Sequence, residues 1–386
     1  MKLFSRENER VANLHIDIRS SGIGLMLTHH EDKKIEIVYT NRFLASTTNN
    51  EMLKPETLKE ALNKILSDFV TNKMGDVLTK NKIKIKSIDV NFAAPWYEAK
   101  LKQISLQKEN PIIFTKEVYN SLIQNEPLLN SDVSGNKKTI EKNIVHVRLN
   151  NYELLDPFNK PTKDINIAFY VGQVDLATLN NVTEVIKNHF SAKDLEFHSH
   201  AFIIYNTLRN LFLNLSSFVF IDVSAEVTEI GVVKNNLLSS VATLPQGKRS
   251  LIEAFAKSCN MDYQNAVSSL AMLSRGELDD KCTMKYSDIL KIEAAKWSDN
   301  IKKVFADISG TDCLPSKIFV LSDTDIQSTI SSIFKSETLK ESCLQGKSGD
   351  IIEFNYKLFN DKISLENEVS TDPLFTISAL STGYME

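Results

Sequence analysis

Residues Phe218–Val233, FVFIDVSAEVTEIGVV, constrain the fold of this chain more than any other stretch. A run of apolar residues ends in Asp222, a short turn of small and polar residues follows, and a second apolar run completes the pattern. The first run has the length and composition of a buried β-strand. The two runs together predict a hairpin of adjacent antiparallel strands.

This pattern resembles the phosphate-binding hairpin of the actin/DnaK-chaperone/sugar-kinase fold. The resemblance implies that Asp222 holds a metal ion and that backbone N–H groups of the turn contact phosphates. Such turns are normally rich in glycine, because the backbone must approach the phosphate closely. Here the turn is Ser224-Ala225-Glu226, and Glu226 would repel a triphosphate unless a metal or a lysine neutralised it. The sequence therefore indicates the fold more strongly than it indicates nucleotide binding.

Length and composition set broad limits. A chain of 386 residues is long enough for two lobes with separate cores. Its net charge of −4 gives no reason to expect a nucleic-acid partner. Four widely spaced cysteines without a CxxC pair indicate reduced cytosolic thiols. The polar start at Met1–Arg10 and the lack of a run of ~18 apolar residues predict a cytoplasmic protein without direct membrane insertion.

The first part of the chain predicts the order β-β-β-α-β. Strands are predicted over Ala12–Ile18, Gly22–Thr28, Lys34–Tyr39 and Ile83–Ala93. A helix is predicted over Pro55–Thr71, where apolar residues recur at helical spacing.

Residues 95–163 predict an insertion into this first lobe. The insertion should contain a helix near Thr115–Gln124, strands near Ile144–Leu149 and Tyr152–Leu155, and a polar, mobile loop at Asn130–Lys142. A strand over Asp164–Val171 then opens the rest of the first lobe. The predicted division is residues 1–94 and 164–215 for the first lobe, 95–163 for the insertion and 216–386 for the second lobe. The C-terminal helix is expected to return to the first lobe.

A second hairpin near the start of the chain, in HIDIRSSGIGL, is similar to the first, as expected for pseudo-duplicated lobes. Asp17 ends a strand there and is followed by Ser20 and Ser21. In the functional interpretation, the serines hydrogen-bond a β- or γ-phosphate and Asp17 lies behind Mg²⁺. In the alternative, this is an ordinary polar turn. Arg19 stands where glycine is usual, and it either binds phosphate or fills the space that a phosphate would need.

In the second lobe, Asp222, Ser224 and Thr228 are the candidates for contacts to Mg²⁺ and phosphate. Gly247 and Lys248 follow a predicted strand and begin a predicted helix. A helix N-terminus at this place would accept an anion. A turn with solvated basic residues fits the sequence equally well.

Ser322 and Asp323 stand where nucleotide-binding relatives have two glycines next to adenosine. Asp323 or Asp325 also fits the N-cap of a helix. His198 and His200 alternate along a predicted strand, but the sequence offers no evident third ligand, so it does not predict a metal site there.

Over nearly its whole length, the chain resembles the FtsA/PilM branch of bacterial actin-like proteins. Its first 25 residues are similar to the PilM start, in which a lysine-rich leader precedes an IDIGSSSIK-type hairpin. Phe218–Val233 is similar to the VDIGAxxTDI hairpin, with Asp222 and Thr228 matched. Asn143–Val171 resembles the FtsA segment after its inserted subdomain, and Asp372–Leu380 resembles the closing D-P-x-[YF]-x-x-A-x-G-L signature.

This resemblance implies an α/β, two-lobe actin-like ATPase fold, built from two RNase H-like domains with a small α+β inserted subdomain. It also implies a cytoplasmic scaffold in type IV pilus or secretion assembly, or in cell division. Such a scaffold would bind a peptide of a membrane-assembly protein, lie at the inner membrane through that partner, and self-associate as a homo-oligomer or filament. Since the chain ends just after the closing signature, we expect no amphipathic membrane-targeting tail of the FtsA kind.

The departures from the family pattern predict a degenerate ATPase. Glycines are replaced at Arg19, Ser224, Ser322 and Asp323, which lie in three loops that contact nucleotide in the family. We therefore expect ATP and Mg²⁺ to bind weakly or not at all, and we assign no catalytic residue. The alternative is an active ATPase, or a small-molecule kinase of the same fold.

Overall fold

The computed structural model describes residues 10–31, 34–44, 53–130, 132–154, 156–191, 194–309, 314–322, 327–335 and 350–383. The candidate residues Asp323 and Asp325 lie outside these ranges. The described chain forms three β-sheets with helices packed against them. Among the described helices, none combines the length and the apolar character that crossing a membrane requires.

The first lobe is built on a six-stranded sheet. Its strands are β1 (Arg10–Arg19), β2 (Gly22–Glu31), β3 (Lys34–Leu44), β4 (Ile83–Phe92), β10 (Asp194–Ser199) and β16 (Ile363–Leu365). They lie in the order β10-β4-β1-β2-β3-β16, with β1 antiparallel to β2 and parallel to β4. The predicted β-β-β-α-β order is confirmed, and the first three strands extend beyond their predicted ends.

Helices cover this sheet because each has one apolar stripe. They are α1 (Pro55–Asp68), α2 (Met74–Asn81), α5 (Leu176–His189) and α6 (His200–Leu211). In α1, Leu58, Leu62 and Leu66 recur every four residues and are buried. The predicted helix over Pro55–Thr71 ends earlier as an α-helix, since a π-helical turn at Phe69–Lys73 joins α1 to α2.

The insertion forms a sheet of its own. Its elements are β5 (Tyr97–Phe114), α3 (Lys116–Gln124), α4 (Pro127–Asn130), β6 (Val133–Ser134), β7 (Lys137–Leu149), β8 (Tyr152–Glu153) and β9 (Lys160–Asp175). The strand order is β5-β9-β7-β6, with β8 paired to β7.

Two predictions about the insertion were wrong. β9 pairs with β5 as far as Val174 and with β7 as far as Asp175, so this sheet extends past the predicted boundary at residue 163. Much of the predicted loop at Asn130–Lys142 is strand, because β6 and β7 form a hairpin there.

The second lobe contains the hairpin that was predicted over Phe218–Val233. Its strands are β11 (Phe218–Val223), β12 (Thr228–Lys234), β13 (Leu237–Leu244), β14 (Lys317–Ser322) and β15 (Asp350–Glu353), in the order β13-β12-β11-β14-β15. Its helices are α7 (Lys248–Cys259), α8 (Tyr263–Arg275), α9 (Asp280–Ser309) and α10 (Gln327–Lys335). Every residue of β11 is buried, because alternate residues pack against these helices and against the first lobe.

The last described helix, α11 (Pro373–Ser381), packs against α6, β2 and β3 of the first lobe and also against β14 of the second. Asp372 caps its N-terminus by accepting a hydrogen bond from the backbone N–H of Phe375 at 2.7 Å. All nine residues of α11 are buried. The side chain of Asn91 in β4 donates to Ser378 Oγ at 3.2 Å, so α11 lies over the face of the first sheet that looks toward the second lobe.

Candidate functional site

The candidate site is centred on Arg19, the last residue of β1, whose side chain is fully buried. Its Nη2 donates to Asp222 Oδ2 at 2.6 Å, and its Nη1 donates to Asp222 Oδ1 at 3.2 Å and to Ser224 Oγ at 3.0 Å. Its Nε lies 3.6 Å from Asp17 Oδ2. One guanidinium group therefore joins the strand ends of both lobes, and Asp17 and Asp222 face each other across it.

A second arginine, Arg42 of β3, holds the other side of Asp17. Its Nη1 donates to Asp17 Oδ2 and its Nε donates to Asp372 Oδ2, both at 2.8 Å. Gly24 lies between Asp17 and Arg42 in the sheet register. A Cβ atom at Gly24 would lie 3.1 Å from Arg42 Cζ and 2.7 Å from the ring of Phe375. The glycine thus gives the guanidinium room to cross β2 and to tie Asp17 to the start of α11.

His200, the first residue of α6, also reaches this cluster. Its Nε2 lies 3.7 Å from Asp222 Oδ2, and the side chain is fully buried. Burial lowers the pKa of His200 well below 6.5, and the positive charges of Arg19 and Arg42 lower it further. The imidazole is therefore neutral at physiological pH.

Glu229 lies opposite Asp222 in the β11–β12 hairpin and is buried. The pKa of Glu229 is raised to about 8, mainly by burial. The hydrogen bond that its Oε1 accepts from Tyr97 Oη at 2.7 Å acts in the opposite direction and lowers the pKa. The negative charge of Asp222 adds to the increase and the positive charge of Arg19 opposes it. Glu229 is therefore mainly a neutral acid at pH 7. It links the second lobe to Tyr97, the first residue of β5.

The predicted phosphate-binding serines of the first hairpin, Ser20 and Ser21, are buried in the turn between β1 and β2. Gly22 closes this turn with a φ of +155°, and a Cβ atom there would lie 1.9 Å from the carbonyl oxygen of Phe43. Among the described residues, the hydroxyls of Ser20 and Ser21 have no hydrogen-bond partner. Buried hydroxyls without a protein partner favour bound water or an anion at this turn.

The other second-lobe candidates lie where the turn between β11 and β12 packs against the start of α7. The hydroxyl of Thr228 donates to the carbonyl oxygen of Gln246 at 2.7 Å. The backbone N–H of Lys248 donates to the Ser224 carbonyl at 2.9 Å. A Cβ atom on Gly247 would lie 2.4 Å from the carbonyl oxygen of Ala225. The first N–H groups of α7, which we considered for anion binding, are thus directed at carbonyl oxygens of the turn.

Ser322 ends β14 beside Val223 and is fully buried. Its hydroxyl lies 3.5 Å from Oε1 of Gln327, the first residue of α10. Gln327 in turn donates to the Phe354 carbonyl at 3.1 Å. Ser322 is therefore close to the hairpin, but its neighbours are other protein groups.

The fold implies Mg²⁺ and ATP, and the charges at this junction determine whether they would fit. Mg²⁺ requires free carboxylate oxygens in an octahedral arrangement. Both predicted carboxylate ligands lie within 2.8 Å of a guanidinium nitrogen, Asp222 with Arg19 and Asp17 with Arg42. A dication beside these buried guanidinium groups would be strongly repelled. In this arrangement the residues do not fit a magnesium–nucleotide complex.

Sequence reasoning identified Arg19 and its neighbours Asp17, Asp222 and Ser224, but not the other residues that pack around them. Arg42, His200, Glu229 and Tyr97 come from four further elements, and their positions depend on strand register and lobe packing. Only Gly24 gave a local signal, since a glycine inside a strand often marks a close approach by another group.

These features define a two-lobe protein with the actin-like ATPase fold. In its chain path it is similar to PilM in the solved PilM–PilN type IV pilus biogenesis complex. That comparison has a TM-score of 0.64 and 11% sequence identity, and it covers 97% of this chain and 98% of that chain. At this identity the likeness shows the fold alone.

Two further solved structures match over similar lengths with lower scores. The ethanolamine utilization protein EutJ from Carboxydothermus hydrogenoformans matches with a TM-score of 0.49 and 10% identity, over 97% of this chain and 89% of that chain. A Bacteroides thetaiotaomicron protein with an actin-like ATPase fold and unknown function matches with a TM-score of 0.41 and 10% identity, over 99% of both chains. No protein-family model matches the chain, and no curated protein sequence matches it.

Proposed function

We propose that this chain is an actin-like assembly scaffold of the PilM/FtsA type, acting in type IV pilus or secretion assembly or in cell division. Its lobes are held together by side chains rather than by a nucleotide. The observation that carries the proposal is the buried contact of Arg19 with Asp222 and Ser224. This guanidinium supplies, within the chain, the positive charge that a magnesium ion would otherwise bring between the strand ends.

Calorimetric titration of the full chain with ATP and Mg²⁺ tests this proposal. The wild-type chain should show weak binding or none, and negligible turnover. Two outcomes would instead support the alternative, in which the chain binds or hydrolyses ATP. Binding that depends on Mg²⁺, is lost in Asp222→Ala and strengthens in Ser322→Gly would mean that the nucleotide site is retained. Robust ATP hydrolysis lost in Asp222→Ala would make the chain an active ATPase.

We infer the kind of partner from a groove between the first lobe and the insertion. The groove has a volume of about 650 Å³ and is lined by Ile140–Ile144 of β7, Leu195–His198 of β10, and Phe202, Tyr205, Asn206 and Arg209 of α6. β10 is an edge strand of its sheet. Within the described chain, β7 is paired over residues 139–147 with β9 alone. Two strand edges therefore line one groove.

An extended peptide fits such a groove by adding a strand to an exposed edge. The apolar side chains of Leu195, Phe197 and Phe202 would give specificity, and Arg209 would favour an acidic residue. We propose that the peptide belongs to a membrane-assembly protein, which would place this chain in the cytoplasm at the inner membrane. The solved complex of PilM with PilN is consistent with this class of partner.

Site-specific photo-crosslinking in cells tests the groove. A photoreactive residue at Ile144, which is 49% exposed, should capture an assembly protein that mass spectrometry can identify. Leu213, which is 81% exposed, is the matched control position. Capture of the same proteins from both positions, or of none from Ile144, would remove the support for a peptide groove. The same experiment reports self-association, because a second copy of the chain would be recognised by its mass.

A further inference from the structure

A polar stripe crosses the first-lobe sheet on the face that α11 covers in part. In the strand register, Asp89 of β4 lies beside His15 of β1 on one side and beside Glu196 of β10 on the other. His198 lies beside Asn91 in the same way. A cavity of about 570 Å³ lies over this stripe and is bounded at one end by the last residue of α11. Each strand contributes every second residue to the stripe, so the polar residues share one face.

Three of these side chains form a possible set of metal ligands. One ligand atom from each of Asp89, Glu196 and His198 lies within 4.8 Å of the other two. His198 Nε2 and Glu196 Oε2 are 3.6 Å apart. Ligand atoms around a tetrahedral zinc ion are about 3.3 Å apart, given bond lengths of about 2.0 Å. Small rotations of these side chains would therefore bring all three ligand atoms within bonding distance of one ion.

Neighbouring carboxylate and imidazole groups orient two of the three ligands. His198 Nδ1 lies 3.5 Å from Glu141 Oε1, so Nε2 is the nitrogen that faces the other ligands. His15 Nδ1 lies 3.3 Å from Asp89 Oδ2, while His15 Nε2 lies 2.9 Å from Thr28 Oγ1. A histidine that binds a metal commonly directs its second nitrogen to a carboxylate in this manner.

An independent observation comes from Asn91, which lines the same cavity and is 1% exposed. Its Nδ2 donates to Ser378 Oγ, but its Oδ1 has no hydrogen-bond partner among the described residues. A buried amide oxygen without a partner is costly unless water or a ligand satisfies it.

The electrostatics of the cluster agree with a bound cation. The carboxylates of Glu141 and Glu196 lie 3.5 and 3.6 Å from the two ring nitrogens of His198. Negative charge is thus concentrated at this imidazole.

We propose that Asp89, Glu196 and His198 bind a divalent transition-metal ion, Zn²⁺ in particular, with a further coordination position open to the cavity. One imidazole and two carboxylates suit Zn²⁺ better than Mg²⁺, and Zn²⁺ stands high in the order of affinities for such ligands. The ion would join β4 to β10 and, through Glu141, fasten the insertion to the first lobe. Glu141, Glu196 and His198 also line the proposed peptide groove, but the metal site does not depend on a peptide binding there.

Zinc titration of the chelator-treated full chain tests the inference, with a chromogenic chelator as competitor. One equivalent of Zn²⁺ should bind, and Co²⁺ should give the visible absorption of a four- or five-coordinate site. Glu196→Gln should weaken binding at least tenfold, and this side chain is 64% exposed, so the variant should fold normally. His198→Ala should abolish binding. Glu141→Gln removes the negative charge beside His198 Nδ1 and keeps an oxygen that can accept from the Ser199 backbone N–H and hydroxyl, which donate to Glu141 Oε2. This change should weaken binding roughly 10- to 100-fold.

Two matched variants separate this site from adventitious binding. His189→Ala removes an imidazole from the surface of α5, and Cys282→Ser removes a free thiol. Both should bind Zn²⁺ as the wild-type chain does. The inference would be overturned if the wild-type chain binds no Zn²⁺, or if Glu196→Gln and His198→Ala bind it as tightly as the wild type does. Loss of binding in Cys282→Ser would also overturn it.

Discussion

Arg19 and Asp222, 203 positions apart in the sequence, are joined by two guanidinium–carboxylate hydrogen bonds of 2.6 and 3.2 Å. Both side chains are at most 1% exposed. Two parallel hydrogen bonds to a charged partner are the strong form of this interaction. Removing both ions from water nevertheless costs several kcal/mol, so the pair stabilises the closed lobes only while both partners are present.

Arg19→Ala should therefore lower the free energy of unfolding by about 3–5 kcal/mol, because it leaves the Asp222 carboxylate buried without its main counter-charge. Urea unfolding measures this loss. Asp222→Asn combined with Arg19→Ala should be less destabilising than the sum of the single changes, since the double variant buries no unpaired ion.

The matched control is the exposed pair Lys59 and Glu184, whose side chains are 43% and 56% exposed at an N–O distance of 2.9 Å. Lys59→Ala should cost at most about 1 kcal/mol, because water screens the pair. Equal costs for Arg19→Ala and Lys59→Ala would mean that the Arg19–Asp222 contact does not hold the lobes.

Gly247→Ala should also destabilise the chain, for a steric reason. The added Cβ would lie 2.4–2.5 Å from the carbonyl oxygens of Ala225 and Ser224, and the backbone must shift to relieve this contact. We expect a loss of about 1–3 kcal/mol in urea unfolding. Gly75→Ala in α2 is the control, since no atom of the described residues outside its own stretch of helix lies within 4 Å of its Cβ position. That change should be neutral or stabilising by up to about 1 kcal/mol. If both variants change the free energy of unfolding in the same direction, the proposed steric clash at Gly247 is contradicted.

The elements that could be predicted from the sequence are those with strong local patterns. β11 is apolar at nearly every position because both of its faces are buried, and the apolar stripe of α1 follows the helical period. β5 was not predicted, although it is 18 residues long. Much of its surface is exposed, and Pro111 lies within it, so neither alternation nor a buried run marks it as a strand.

The candidate site could be predicted only in part. Asp17 and Asp222 each lie near the end of a strand, and pseudo-symmetric hairpins place such ends face to face. The interaction of Arg42 with Asp17 depends instead on the register of three strands, with Gly24 in the middle one. Likewise, Asp89 and Glu196 are brought together by the parallel pairing of β4 with β10, which no local pattern specifies. Long-range register determines these contacts.

Glu229 provides a prediction about pH, because it retains a proton in the folded chain that the unfolded chain releases. Its pKa rises on folding from an ordinary value of 4.5 to about 8. The charged or titratable groups that face it are Tyr97 of β5, Asp222 of β11 and Arg19 of β1. For an acid with a raised pKa, the stabilising contribution is fully present below about pH 4.5 and is lost as the pH rises toward 8.

Glu229→Gln should remove this part of the pH dependence, because an amide has nearly the shape of a protonated carboxyl group and does not ionise. At pH 5 the variant should unfold at nearly the same urea concentration as the wild-type chain. At pH 9 it should be more stable than the wild type by about 1–3 kcal/mol, since the wild type then buries an additional negative charge beside Asp222. Glu253→Gln on α7, where the carboxylate is 52% exposed, is the control and should track the wild type within about 0.5 kcal/mol at both pH values. If Glu229→Gln is no more stable than the wild type at pH 9, then Glu229 is already ionised in the folded protein at pH 7. The junction between the lobes would then carry one more negative charge than we describe.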